Sequence, residues 1–528
     1  MSCGRIGWCV LAAAAAILVF QVLVPPAIGL ADNGDFSKIT RGFDLYPPID
    51  DLQVSAFRYI HLQYAIRPIS RVETGFHSSE TLLIRAALLL NGVVSRPGVF
   101  ELRLMGVVHA ALFLVALALF VDLLGGQRAG LRIALPALAV LLFCDVASTA
   151  LYNSFYLDTG AFLFLMLSMV ALLRARVRRR GMETILAVAF CLLLVTAKSQ
   201  HALLAIPLAV FLVWERRELW PRHALLGSAL AAALVVGAGA ASLARGSPPH
   251  YTGPCLFNII FARLLPTAED PAAELASLGL DKSYLRYREM DAYMDRSPMR
   301  DKRWVQSFLS RTSFLRLGRF YVTHPGRAWQ VAALALEEAA VGRPPGIGNY
   351  DDASGRPPYA QSKAFSIWST ARGALLGRCL WAYPLLFALS ICVIAWRFPA
   401  AGAALLLMGT IEFAVGAMTD ASEVTRHLFL FNTIWDVALF AAVSTLALWR
   451  WRRPSETYVV VPALVLDGQL QCPISNTKPR SWKRRRLATA PESGPSATFC
   501  QARGSAANAM SATTCLSKTT WWWAIASR

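Results

Sequence analysis

The chain has 528 residues, is 55% hydrophobic and 16% charged, and carries a formal net charge of +19; its mean hydropathy is +0.45. Soluble domains are about 45–50% apolar, and the excess here is gathered in long runs, which argues against a wholly soluble globular class. The basic residues sit in short stretches between those runs, as the positive-inside rule expects, so the charge does not imply a nucleic-acid partner. Cys144, Cys191, Cys379 and Cys392 lie inside apolar runs and no CxxC pair occurs, so neither a metal site nor a disulfide framework is read. A pairing of Cys255 with another outward cysteine stays open.

Residues 8–30 form the first apolar run, preceded by Arg5. Ala27–Gly29 has the small-x-small form of a cleavage site, so residues 1–30 read as a first membrane anchor or as a removed signal. Either way the chain is outside from residue 31. Residues 31–104 form an outer loop. Phe57, Ile60 and Tyr64 are at helical spacing within Asp50–Ser70, and Thr81–Val94 is apolar apart from Arg85. Both predict amphipathic helices lying at the interface.

Residues 105–244 supply the next six spans, at 105–124, 131–151, 157–173, 184–197, 202–214 and 224–244. The third ends in Arg174, Arg176, Arg178, Arg179 and Arg180, the strongest cytoplasmic marker in the chain. Runs 184–197 and 202–214 are shorter than the ~20 residues of a straight span and read as two short helices or a re-entrant pair. Residues 245–378 form a large outer region with helical patterns near 267–279, 281–295, 300–323 and 326–340. His324-Pro325 is expected to separate two of these helices. The glycines of 342–348 read as turn residues.

Three spans close the membrane part within residues 379–450: 379–396, 400–419 and 428–449. Counting ten passes places both termini in the cytoplasm. Residues 451–528 change composition and read as a disordered cytoplasmic tail, with a basic run Lys483–Arg486 and three tryptophans at Trp521–Trp523. The expected fold class is an all-α polytopic membrane protein of about ten transmembrane helices with a large outer region.

Under this topology four polar motifs face outward. They are Asp32-Asn33-Gly34-Asp35, continuing to Lys38, then Tyr152–Asp158, Lys198–His201 and Asp420–His427. Carboxylates such as Asp35, Asp158 and Glu423 suit a general base or a divalent cation. Lys198, Arg426 and His427 suit a phosphate leaving group. A transferase moving a sugar from a lipid phosphate needs both kinds of group. Asp35 is the candidate base. Lys198, Gln200, Arg426, His427, Tyr152 and Asn153 are candidate substrate contacts, and Asp158, Glu423 and Asp32 are supporting or metal candidates. Plainer roles exist for each: Asn-Gly-Asp is a turn signal, Asp158 suits a helix N-terminus, and Glu423 can pair with Arg426 at helical spacing.

A first span followed at once by an acidic outer loop, with NGDF, YNSFYLD, AKSQ and EVTRHLFLFN further along, resembles the GT-C superfamily of integral-membrane glycosyltransferases, including poorly characterised bacterial members. The resemblance covers residues 8–450. It implies a polyprenyl-phosphate-linked sugar donor and a glycan, lipid or protein acceptor. It also implies a site on the extracytoplasmic face of the cell membrane, with the first-loop acid, here Asp35, as base. Many members carry two adjacent acids in that loop, whereas Asp32 and Asp35 are separated by Asn33-Gly34. A possible divalent cation, and the choice of acid, stay open. Two other readings stand beside this one: a transporter or flippase for a lipid-linked or anionic solute, and a non-catalytic assembly subunit.

Overall fold

The computed structural model describes residues 5–47, 57–67, 75–248 and 251–450. The reading of the tail after residue 450, with its basic run and its tryptophans, falls outside the described residues. The elements used below are α1 (Arg5–Val22), β1 (Leu45–Tyr46), β2 (Gln63–Ile66), α2 (Glu80–Val94), β3 (Val99–Glu101), α3 (Arg103–Leu123), α4 (Ala129–Phe143), α5 (Leu157–Arg178), α6 (Gly181–Val195), α7 (Ala205–Trp214) and α8 (Ala224–Arg245). They continue as α9 (Lys302–Arg311), α10 (Phe314–Thr323), α11 (Pro325–Val341), α12 (Ile367–Leu376), α13 (Ala382–Arg397), α14 (Pro399–Met418) and α15 (Phe429–Arg450).

Among the described residues five helices are long and apolar enough to cross a membrane: α3, α5, α8, α14 and α15. Five shorter apolar helices, Gly7–Val22, Ala129–Phe143, Gly181–Val195, Ser199–Trp214 and Ala382–Arg397, fall on the remaining apolar runs. Helix α5 lies at the centre. Phe162, Leu163, Phe164 and Leu165 are all buried, the pattern of a helix enclosed on every side. Helix α8 is peripheral, with only 22% of its apolar window buried against 78% for α5. The run 131–151 is not one helix. It stops at Phe143, and Asp145 caps a separate turn, Val146–Thr149, by accepting the Ala147 N–H.

The expectation of an all-α chain needs correction. β1, β2 and β3 form a small antiparallel sheet in that order, with Tyr64 opposite Phe100. Of the interfacial helix expected at Asp50–Ser70, the described part contains β2 instead. Ile60, Leu62, Tyr64 and Ile66 turn inward at every second position, while Gln63 and Arg67 are exposed. That two-residue period outweighs the helical spacing of Phe57, Ile60 and Tyr64. The other expected helix is present as α2. It buries Leu83, Ile84 and Ala87 and leaves Leu89 and Val93 76% and 85% exposed.

In the region 245–378, α9, α10 and α11 occupy two of the expected helical stretches. Pro325 sits in the first turn of α11, and His324 breaks the path from α10, as the steric demand of proline requires. The stretch 281–295 holds a 3-10 turn, Lys282–Tyr287, whose start Asp281 caps by accepting the Ser283 N–H. A helical segment over 252–264, not read in the sequence, carries Phe257 and Phe261 into a separate apolar cluster with Phe308 and Phe320.

Helix α5 has a charged group near each end. Asp158 opens it and Arg174, Arg176 and Arg178 lie in its last turns; twenty residues at 1.5 Å each separate Asp158 from Arg178 by about 30 Å. At the arginine end Arg174 pairs with Asp122 (2.5 Å) and Glu183 (3.0 Å), and Arg176 pairs with Glu215 (3.1 Å). Arg178 also bonds Asp122, and Arg179 bonds Glu218.

Candidate functional site

Two short turns build the other end. In Asp32-Asn33-Gly34-Asp35, the Asp32 carboxylate accepts the N–H groups of Gly34 (2.8 Å) and Phe36 (3.1 Å). Asn33 Oδ1 accepts the Asp35 N–H at 3.0 Å. Gly34 has φ +97°, a conformation open to glycine at little steric cost. The side chains of Asp32 and Asn33 therefore shape the turn, and Asp35 is presented beyond it. Tyr156 braces the turn from below: its hydroxyl donates to the Ala31 carbonyl (2.8 Å) and accepts the Asn33 N–H (3.2 Å).

The second turn precedes α15. Glu423 adopts φ +50°, which is strained for a side chain of its kind. Its carboxylate accepts from Arg426 Nε (2.8 Å) and from the Asn33 side chain. These contacts tie the two turns together across the sequence and hold Arg426 in place. Arg426 is 6% exposed. It donates to Asp35 Oδ2 at 2.7 Å and stands 3.7 Å from Asp158, with its guanidinium 4.8 Å from the centre of the Tyr156 ring.

Asp35, Lys38, Asp158, Lys198, Gln200, Arg426 and His427 all line one cavity of about 490 Å³, a size suited to a small-molecule ligand. Lys38 approaches Asp35 Oδ1 at 2.5 Å and donates to the Tyr251 hydroxyl at 3.1 Å. Lys198 donates to both oxygens of Asp158, at 3.0 and 3.3 Å. Apolar groups, among them Ile39, Leu203, Leu243, Val415 and Phe314, complete the wall.

The charges are tuned in different directions. Burial by itself raises the Asp35 carboxyl, but Arg426 and then Lys38 more than offset it and hold it well below the usual carboxylate range. Asp35 is thus ionised at neutral pH. Burial pushes Asp32 up to about 6, against the pull of its two backbone bonds. The His427 ring is driven well below its ordinary value by burial, then by Lys198 and Arg426. Expected as a cation, His427 is therefore a neutral ring. It faces Gln200 Oε1 at 3.3 Å, while Gln200 donates to the His427 carbonyl at 2.8 Å.

Not every residue singled out in the sequence reaches the cavity. Tyr152 and Asn153 are fully buried. Asn153 donates to the carbonyls of Val22 and Ile28, and Tyr152 offers its carbonyl to His109 at 2.8 Å. Asn153 thus pins the turn before α5 to the segment after α1 and Tyr152 ties it to α3, and neither lines the cavity. Asp32 and Glu423 lie behind the wall as supports.

The wall also holds Tyr251 and Asp420, which were not on the candidate list. Asp420 was legible within a polar motif, whereas nothing around Tyr251 marked it. Behind Asp158, His201 is buried and bonded to Glu412 at 3.0 Å. Around Asp35 the partners are cations. Among the described residues no group of three or more His, Cys, Asp or Glu side chains is arranged to hold a metal ion. The donor set therefore does not fit the divalent cation left open above.

Residues 5–459 match the family model described as the YfdI N-terminal transmembrane domain. The chain is also similar to a solved structure, archaeal oligosaccharyltransferase AglB from Archaeoglobus fulgidus in complex with an inhibitory peptide and a dolichol-phosphate. The identity is 14% and the TM-score 0.36, covering 84% of this chain and 51% of that one. This chain thus spans about half the length of that protein. No curated protein matches the chain.

Proposed function

For a chain that belongs to the YfdI N-terminal transmembrane domain family, and so is a membrane protein, we propose glycosyl transfer from a polyprenyl-phosphate donor to an acceptor at the extracytoplasmic face. In this reading all ten apolar helices cross the membrane. The arginine end of α5 lies in the cytosol, and the cavity opens on the other side.

One observation carries the proposal. An ionised carboxylate, Asp35, is held between Lys38 and Arg426 on the wall of a cavity that also presents Lys198. The donor phosphate binds these cations. In doing so it competes with Asp35 for Lys38 and Arg426, and Asp35 becomes more basic as its partners turn away. The acceptor hydroxyl then gives its proton to Asp35 while its oxygen bonds the anomeric carbon. The bond from that carbon to the phosphate oxygen breaks, and its electron pair leaves with polyprenyl phosphate, stabilised by the same cations. Asp158 keeps Lys198 aimed at the phosphate. No step requires a metal ion.

The test is direct. Membranes containing the protein are supplied with polyprenyl phosphate carrying a labelled sugar. Transfer predicts that the label leaves the lipid. A label that stays on the lipid and changes leaflet favours the transporter reading instead.

A further inference from the structure

Among the described residues three carboxylates stand in the wall of the candidate cavity: Asp35, Asp158 and Asp420. Asp35 pairs with Lys38 and Arg426, and Asp158 pairs with Lys198. Asp420 enters no ion pair among the described residues; its neighbours are neutral donors. The transfer step gives it no part. We propose that Asp420 binds hydroxyl groups of the sugar on the lipid-phosphate donor and so helps to set which sugar is accepted. The inference rests on the glycosyl-transfer reading and adds a sugar subsite to it.

The carboxyl is anchored yet not saturated. Asp420 follows α14 and is 5% exposed. Its Oδ1 accepts from Asn258 Nδ2 at 3.0 Å and from the Ser422 N–H at 2.9 Å. Asn258 in turn accepts the Ala292 N–H at 2.7 Å, which fixes the pair to the 252–264 segment. A carboxylate offers about four lone-pair sites, and both of these bonds fall on Oδ1. Oδ2 accepts no bond of that quality among the described residues, and it is not sealed inside the packing. The Cys255 thiol lies beside the carboxyl, but this weak donor also has the Tyr251 carbonyl at 3.5 Å. Burial raises the Asp420 carboxyl above its usual range, against the pull of its neutral bonds. Such a group is short of donors.

Charge decides what kind of ligand can supply them. A phosphate is repelled by a carboxylate that lacks a cation, and Lys38, Lys198 and Arg426 attract it instead. Sugar hydroxyls are neutral and can donate to Asp420. One residue spans the two parts of the wall. Tyr251 accepts from Lys38 through its hydroxyl at 3.1 Å, and its carbonyl meets Cys255, the neighbour of Asp420. Thr252 adds a further hydroxyl to this part. In the donor the sugar is bonded directly to the phosphate, so a ligand held by the cations keeps its hydroxyls within the same space of about 490 Å³.

The test measures binding to the full-length protein in phosphatidylcholine nanodiscs, without an acceptor. The probes are polyprenyl phosphates carrying glucose, galactose or mannose. The reference is polyprenyl methyl phosphate, which has the same single charge and no hydroxyls. The parent should bind at least one hexose lipid about tenfold more tightly than the reference, as a hydrogen bond to a charged group implies. Asp420→Asn keeps an oxygen for Asn258 and Ser422. It should lose most of that preference and bind the reference within about twofold of the parent. Lys198→Gln should weaken both kinds of lipid alike. A preference that survives in Asp420→Asn overturns the proposal, as does a parent with no preference. Deoxy forms of the preferred hexose make the test independent of any variant: removing one hydroxyl should cost the parent about tenfold. If every deoxy form binds like the intact hexose, the proposal fails. A parent that binds neither the hexose lipids nor the reference overturns the glycosyl-transfer reading itself, and this inference with it, so the two failures are distinct.

Discussion

The two ends of α5 carry similar charges arranged to different ends. At the arginine end Arg174, Arg176, Arg178 and Arg179 each meet a carboxylate among Asp122, Glu183, Glu215 and Glu218. At the other end Asp35, Lys38, Asp158, Lys198 and Arg426 are also paired, yet they stand around a space of about 490 Å³. The first arrangement satisfies its charges among themselves, and of its groups only Arg176 reaches a cavity, a smaller one of about 170 Å³ lined almost wholly by apolar side chains. The second leaves charged groups that a ligand can re-pair. Ion pairing alone therefore does not separate the two clusters; the number of charged groups that face one space does.

Substitutions at the two ends should sharpen that difference. Arg426→Ala removes the shared partner of Asp35 and Glu423. Loss of a buried partner costs on the order of 3–5 kcal/mol, so a large fall in the thermal midpoint is expected along with loss of transfer. Retention of the parent midpoint would contradict the central place given to this guanidinium.

Lys198→Gln acts on the ligand more than on the fold. The KM for the lipid-phosphate donor should rise about tenfold, equivalent to ~1.4 kcal/mol, with a smaller change in kcat. A fall confined to kcat would argue against a ground-state phosphate contact.

Asp32 and Asp35 make a second, finer contrast within one turn. The Asp32 carboxyl is raised to about 6, so its buried charge opposes folding above that pH, and the cost is relieved as pH falls from about 6 towards the unfolded value. Asp32→Asn keeps an acceptor for the Gly34 and Phe36 N–H groups and removes the charge. It should raise stability at pH 8 by on the order of 1–2 kcal/mol and give no gain at pH 4. Asp35 has the opposite sign. Its folded value is lowered, so its contribution is present above the unfolded value and is lost as pH falls through the folded one. A denaturation series against pH for Asp32→Asn tests the assignment.

The smallest effect is expected at the arginine end. Arg178 is 27% exposed and shares its carboxylates with Arg174. Arg178→Gln should cost about 0–1 kcal/mol, as for a surface ion pair, and leave transfer within about twofold of the parent. A loss comparable to that of Lys198→Gln would erase the distinction between the ends.

The apolar runs were legible because burial in hydrocarbon demands long uninterrupted segments, and every run holds a helix. The sheet was harder to see. Ile60, Leu62, Tyr64 and Ile66 alternate over a short stretch where a helical spacing can also be counted. The segment 252–264 lacks any strong period, and its packing on Phe308 and Phe320 depends on distant sequence.

At the candidate site, residue type and position at helix ends marked Asp35, Lys198 and Arg426. They could not show which way a neighbour turns. Tyr152 and Asn153 share a motif with Asp158, but the Asn153 side chain turns onto the carbonyls of Val22 and Ile28 and the Tyr152 ring packs against His109 and Phe162. Nor could the sequence show that Lys198 and Arg426 would leave His427 uncharged.

The most direct measurement compares Asp35→Asn and Asp35→Glu with the parent protein for release of labelled sugar from polyprenyl phosphate in reconstituted vesicles. The account predicts that Asp35→Asn still inserts and folds, with a lowered thermal midpoint, but loses ~10²–10⁴ in rate, with partial recovery in Asp35→Glu. Full transfer by a correctly folded Asp35→Asn protein would contradict it.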